Sequence, residues 1–285
     1  MDEAVGHPVQ NGGIVCAGET NNAAHEAIAT RELCRESIDF LGKSGLLYIT
    51  FCKRESTILT TLVVLQPSYL PWLGYFDQLH KADIFVWYDD VQFDKNGWRN
   101  RNRIKGPKGA LWLTVPVQQS GRATQAICEV EIDNRQPWRR RHLSSVAQLY
   151  ARAPFAKANL PQIEEIIEQP WERLVDLDMA STNWIAKELG IKTPRYRSSE
   201  LKIDGDRNER LLNLCRHFGA TRYLSGDSAR SYLETDRFEK IGIEVVWHDY
   251  KHPEYHQLHG EFVPYLSALD LLLNVGPAAL GILRK

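Results

Sequence analysis

Two adjacent carboxylates, Asp89 and Asp90, follow the apolar run Ile84-Phe85-Val86-Trp87-Tyr88. Acids held together at the end of a buried strand are partly desolvated and electrostatically coupled. Such a pair can act as a general base, hold Mg²⁺ or bind the amino and hydroxyl groups of a substrate. A solvated turn after a strand is the simpler alternative. Beyond Asp94, the basic residues Lys95, Arg99, Arg101, Arg103, Lys105 and Lys108 come without an intervening acid, interleaved with Trp98, Asn100 and Asn102. Guanidinium forks take phosphate or carboxylate through two bonds, and asparagine amides suit sugar hydroxyls. Together with Gln92, this stretch is the best local anion site in the chain, and its structural alternative is an exposed basic hairpin.

Two further strand ends carry polar clusters. After Leu62-Val63-Val64-Leu65 comes Gln66-Pro67-Ser68-Tyr69-Leu70-Pro71-Trp72, where two prolines fix the turn so that Gln66, Tyr69 and Trp72 can shape a pocket or build a rigid corner. Residues 223–230 (YLSGDSAR) read as strand, small-residue turn and helix start. There the amides and hydroxyl of Ser225 and Gly226 can cradle an oxyanion, with Arg230 adding charge, and a plain capping turn is the alternative. His248, His252, His256 and His259 accompany Asp249 and Glu254, but Pro253 interrupts the helix that would align them, so no metal site is expected. Tyr255 and Gln257 are the better pocket-lining candidates in that region. No P-loop, G-x-S-x-G elbow or complete G-x-G-x-x-G occurs.

These residues need a scaffold that brings strand ends together. The apolar run 62–65, a helix over 72–81 and the run 84–88 have the spacing of a βαβ unit. Residues 111–117 and 126–132 alternate like further strands, and 137–189 read as helical, broken at Pro154, Pro161 and Pro170. A helix over 206–218 capped by Gly219, short strands at 223–224 and 243–247, and a closing helix over 262–273 complete the alternation. The pattern predicts an α/β, three-layer, Rossmann-like domain with a mostly parallel sheet and a helical insertion, spanning 61–285. Residues 1–60 differ in texture and carry a net charge of −3; they read as a poorly ordered extension or an upstream mis-called start.

Composition narrows the function classes. Thirty-five Lys and Arg against 36 Asp and Glu leave a net charge of −1, so no global field draws the chain to nucleic acid or anionic lipid. The longest apolar stretches fall short of the ~20 residues of a membrane span. Five scattered cysteines without a C-x-x-C pair fit reduced thiols in a cytosol. The expected partner is therefore a small anionic or nucleotide-linked molecule rather than a nucleic acid. The cofactor is left open between a nucleotide, Mg²⁺ and none, and the oligomeric state is not readable.

The chain resembles the WbqC-like family, found in bacterial O-antigen and other polysaccharide gene clusters. The resemblance rests on residues 66–76 (QPSYLPWLGYF), 82–93 (ADIFVWYDDVQF), 100–104 (NRNRI), 113–117 (LTVPV), 224–226 with Tyr232, and 262–276 (FVPYLSALDLLLNVG). It implies transfer of glycine, or a similar acyl group, to a sugar, and the acceptor expected here is a nucleotide-linked amino sugar. Residues 74–83 (GYFDQLHKAD) are also similar to the GxFDxxHxGH signature of nucleotidyltransferases, although Ala82 and Asp83 stand where its Gly and second His belong. The expectations are thus an acyl transferase, with a nucleotidyltransferase-like enzyme or a non-catalytic sugar-nucleotide binder as alternatives. Asp89 or Asp90 would serve as base, Arg101 and Arg103 would hold phosphate or carboxylate, and Ser225, Gly226 and Arg230 would steady the anionic portion.

Overall fold

The structure, a computed structural model, describes residues 59–284 apart from Asn96 and Ala123. The reading of residues 1–58 lies outside the described residues. Five short strands, β1 (Thr61–Leu65), β2 (Ile84–Trp87), β5 (Arg195–Arg197), β6 (Arg222–Ser225) and β7 (Glu244–Trp247), form one sheet in the order β5-β2-β1-β6-β7. Every pairing in it is parallel. Parallel strands need crossovers and are covered on both faces, which is why β1 and β2 read as unbroken apolar runs. Side chains alternate accordingly. Val63, Phe85, Trp87 and Leu224 face the layer holding α1 (Leu73–Lys81), α4 (Leu174–Glu188) and α8 (Ala268–Val275). Leu62, Val64, Ile84, Val86 and Tyr223 face α6 (Arg207–His217) and α7 (Thr235–Glu239). The fold is therefore an α/β Rossmann-like sandwich.

Between β2 and β5 the chain adds two features. The first is an antiparallel hairpin of β3 (Arg101–Gly106) and β4 (Gly109–Thr114), with Arg101 opposite Thr114. The second is a helical run of α2 (Trp138–Tyr150), α3 (Ala156–Glu168) and α4. Pro161 lies inside α3 rather than ending it. It deprives only the carbonyl of Lys157 of its helical donor, and Lys157 is exposed to water.

Two other expectations change. Residues 126–132 do not form a strand but a 3₁₀ turn at Ile127–Glu129 flanked by single bridges. The Ile127 and Cys128 amides donate instead to the carbonyls of Val91 and Asp89, at 2.9 and 2.7 Å, which ties this segment to the exit of β2. The closing helix starts at Ala268, not Phe262: Pro264 cannot donate, Tyr265 takes φ 58°, and the Ser267 hydroxyl caps the helix by accepting from Leu269 N at 3.2 Å. The helix before β6 keeps its sequence signals, with Asp206 accepting from the Asn208 and Glu209 amides and Gly219 at φ 60° behind it. The short α5 (Ser198–Leu201) follows β5 directly, and α9 (Ala279–Leu283) ends the chain.

Candidate functional site

In this strand order the crossovers leave β1 and β6 towards opposite sides of the sheet, so a crevice opens outside their carboxyl ends. Gln66 stands at the end of β1, half-buried and with no side-chain hydrogen bond among the described residues. Ser225 ends β6; it is buried, its carbonyl accepts from His248 N at 2.8 Å, and Gly226 leads into the 3₁₀ turn Asp227–Ser231. Arg230 donates to Asp227 at 2.8 Å and lies 4.4 Å from the Trp247 ring. The first turns of α6 add two cations that the strand-end reading missed: Arg207, 3.9 Å from the Tyr232 ring, and Arg210, 5.1 Å from Tyr88. Arg230 and Arg210 already bond a carboxylate each, Asp227 and Asp90, while stacking on an aromatic face leaves the remaining edge N–H groups of a guanidinium able to turn towards an anion.

The paired acids after β2 have different surroundings. Asp89 is 0% exposed and accepts from Arg197 Nε at 2.9 Å, Ser198 Oγ at 3.1 Å, Ser199 N at 2.9 Å and Ser199 Oγ at 2.8 Å. The single proton of the Ser198 hydroxyl is shared between Asp89 and Asp90, and with Arg197 and the amide and hydroxyl of Ser199 it fastens the β5–α5 junction to β2. Asp90 accepts from Ser198 and pairs with Arg210, and its side chain is 20% exposed. Of the two, Asp90 is the carboxylate a substrate can reach.

The other sequence candidates fall into two further groups. Arg101 and Arg103 are on the hairpin, over Trp112 at 4.7 and 5.7 Å, with Arg103 also 5.4 Å from Trp98. Both tryptophans are exposed, so the hairpin presents an arginine and indole surface. Asn100 and Asn102 face inward: Asn100 donates to Val115 O at 2.7 Å, and Asn102 to Leu70 O at 2.8 Å, where Leu70 takes φ 44°. Tyr69 is fully buried, its hydroxyl 3.0 Å from His142 Nδ1, while His142 Nε2 meets the Thr114 carbonyl at 3.1 Å. The imidazole therefore donates to Thr114 and accepts from Tyr69. Trp72 stacks on His252 and touches the edges of Tyr250 and Tyr265. Tyr255 donates to Asp270 at 2.8 Å, and Gln257 exchanges two bonds with Val263. Gln92 is exposed and bridges to Ala126.

The histidines disperse. His259 meets Leu149 O at 2.7 Å and His252 meets Pro253 O at 2.9 Å, and among the described residues no three His, Cys, Asp or Glu side chains gather as a metal site. His248 behaves otherwise: it is buried, at 2.6 Å from Asp77, which also receives Lys81 at 2.6 Å. Burial alone would raise the Asp77 carboxyl, but its bonds from His248 and Lys81 hold it below its usual value. His80, the histidine of the GxFDxxH resemblance, sits in the last turn of α1. A crossover helix runs from the carboxyl edge of a parallel sheet back to its amino edge, so His80 is carried away from the crevice. Surface concavities of about 410 Å³, at Tyr255 to Leu258 with His259, Gly260 and Phe262, and about 610 Å³, around Glu131 and Arg173, include no crevice residue.

A model of the WbqC-like protein family matches residues 66–282, which takes in every strand end described above. The chain belongs to the WbqC-like protein family. It is also 41% identical over 225 residues to the uncharacterized protein Rv1507c of Mycobacterium tuberculosis, an alignment covering 78% of this chain and 97% of that protein. No solved structure matches the chain significantly. No described helix is long and apolar enough to cross a membrane.

Proposed function

We propose that this WbqC-like protein is a transferase that moves an aminoacyl or other acyl group to the amine or hydroxyl of a nucleotide-linked sugar, in the cytosolic steps of surface polysaccharide assembly. The observation that carries this reading is the set of polar side chains at the carboxyl ends of the strands: after β2 the partly exposed carboxylate of Asp90 pairs with Arg210, Arg207 shares the first turns of α6 with Arg210, and Arg230 stands in the turn after β6. The guanidiniums and the Ser225-Gly226 turn would hold the phosphates. Asp90 would take the proton that the acceptor loses as its nitrogen or oxygen bonds the acyl carbon, and the donor's leaving group departs with its electron pair. Gln66 would orient the acceptor. Family membership supports the polysaccharide setting, and nothing in the crevice favours nucleotidyl transfer, since His80 lies away from it.

The test is a thermal-shift screen against nucleoside diphosphates, nucleotide-linked amino sugars and acyl donors, with and without Mg²⁺, followed by mass spectrometry for an added acyl group. Ligands of the native state raise its melting temperature by mass action. A shift specific to nucleotide-linked amino sugars, with acyl transfer abolished in Asp90→Asn, supports the reading. A response to nucleoside triphosphate and Mg²⁺ alone, with pyrophosphate release, would replace it by nucleotidyl transfer, and stoichiometric binding without turnover under every donor would make the protein a sensor.

A further inference from the structure

On the sheet face covered by α1 and α4, several polar atoms are buried without partners. Asp178 of α4 is 0% exposed, and neither of its carboxyl oxygens accepts a hydrogen bond. One turn on, Thr182 is also fully buried with its hydroxyl unpaired. Tyr75 of α1 and Trp87 of β2 bring a phenol and an indole N–H that approach one another without a well-formed bond. Arg99, from the segment before β3, acts on Asp178 and Tyr75 through its charge, yet no ion pair joins it to Asp178. Arg99, with some accessible surface, is the most exposed member of the group.

Buried polar atoms in folded proteins are nearly always bonded, and a buried charge is paired or neutralised. Here a carboxyl and a guanidinium share one interior region and are not paired with each other. Asp178 lacks a cationic or multiply donating partner, and Arg99, which also feels the charge of Asp94, is left without an ion pair to Asp178. We propose that Arg99, Asp178, Tyr75 and Thr182 form an interior binding site for a small zwitterion, a molecule with a carboxylate and a protonated amine a few atoms apart. The carboxylate docks on Arg99, the ammonium on Asp178 with the Thr182 hydroxyl, and the Tyr75 and Trp87 rings flank the aliphatic stem. The assignment stands independently of the reading of the crevice.

The experiment is calorimetric titration of the full chain with L-alanine, β-alanine and 4-aminobutyrate, which carry the same two charges at growing separation. Propionate and ethylamine, each with one of the charges, are the controls. The expected result is a saturable one-site isotherm for at least one zwitterion and none for the controls. Asp178→Asn keeps the shape and removes the charge, and should weaken that binding about tenfold or more, as should Arg99→Gln. If Asp178→Asn does not fold, Arg99→Gln at its partly accessible position carries the comparison. Absence of binding by all three zwitterions, or unchanged affinity in a folded variant, would overturn the proposal and leave the interior polar atoms to ordered water. Failure of nucleotide-linked sugars to bind would count against the transferase reading and leave this one standing.

Discussion

At the scale of single residues, Asp89 and Asp90 are separated by what surrounds them. Asp89 has no accessible surface and four donors, so Asp89→Ala should lower stability in urea unfolding by on the order of 3 kcal/mol, because Arg197 and both serines lose their acceptor. Asp90→Asn should cost no more than about 1 kcal/mol, since the side chain is partly exposed. His142 supplies a pH dependence. Burial depresses its imidazole to about 4, although its bond to the Thr114 carbonyl works the other way. The unfolded chain then takes up a proton near its ordinary pKa while the folded protein does not. Stability should be flat above pH ~6.5 and fall by about 3 kcal/mol towards pH ~4. Chemical unfolding across that range should lose this slope in His142→Gln. The crevice was half readable: Gln66, Asp90, Ser225, Gly226 and Arg230 stand at strand ends, where alternation of apolar runs and polar turns points. Arg207 and Arg210 stand on a helix whose polar face looks merely solvated, and only the strand order brings its first turn to the crevice. Asp178 did leave a signal, an acid on the helical face shared by Leu174, Ser181 and Ile185.

At the scale of elements, sequence signals succeeded where local chemistry decided and failed where long-range contacts did. Asp206 and Gly219 bracket α6 as their residue types require, and Asp206→Ala should cost about 1 kcal/mol in the same unfolding assay. The 126–132 segment alternates like a strand, yet its amides find partners on the exit of β2, a competition that no local pattern reveals. Gly276 is a sharper test. It ends α8 at φ 61°, and an added Cβ would lie 2.3 Å from the Phe155 ring at the start of α3. Gly276→Ala combines left-handed strain with overpacking and should lose at least about 2 kcal/mol. Thermal unfolding with a lowered midpoint and an unchanged far-ultraviolet spectrum at 20 °C is the expected record.

At the scale of the molecule, the α/β class and the parallel sheet followed from buried runs separated by helical spacing, whereas the strand order did not, because pairing partners are set by packing rather than by local pattern. The boundary near residue 60 is a proposal of the same scale: a chain beginning at residue 59 should unfold in one cooperative transition and keep every ligand response of the full chain, as measured by differential scanning calorimetry. Loss of cooperativity would make the first 58 residues part of the domain. The adjacency of β1 and β6 that opens the crevice has a kinetic consequence. β1 meets β2 within a short stretch of chain, but its other edge waits for β6, and Thr60 bonds to Thr221 across 161 positions. During synthesis the central strand must therefore remain half-paired until most of the chain has left the ribosome, so the walls of the crevice are joined last. Folding should be slow for the protein's size, and the exposed edge of β1 is where nascent chains would most need a chaperone.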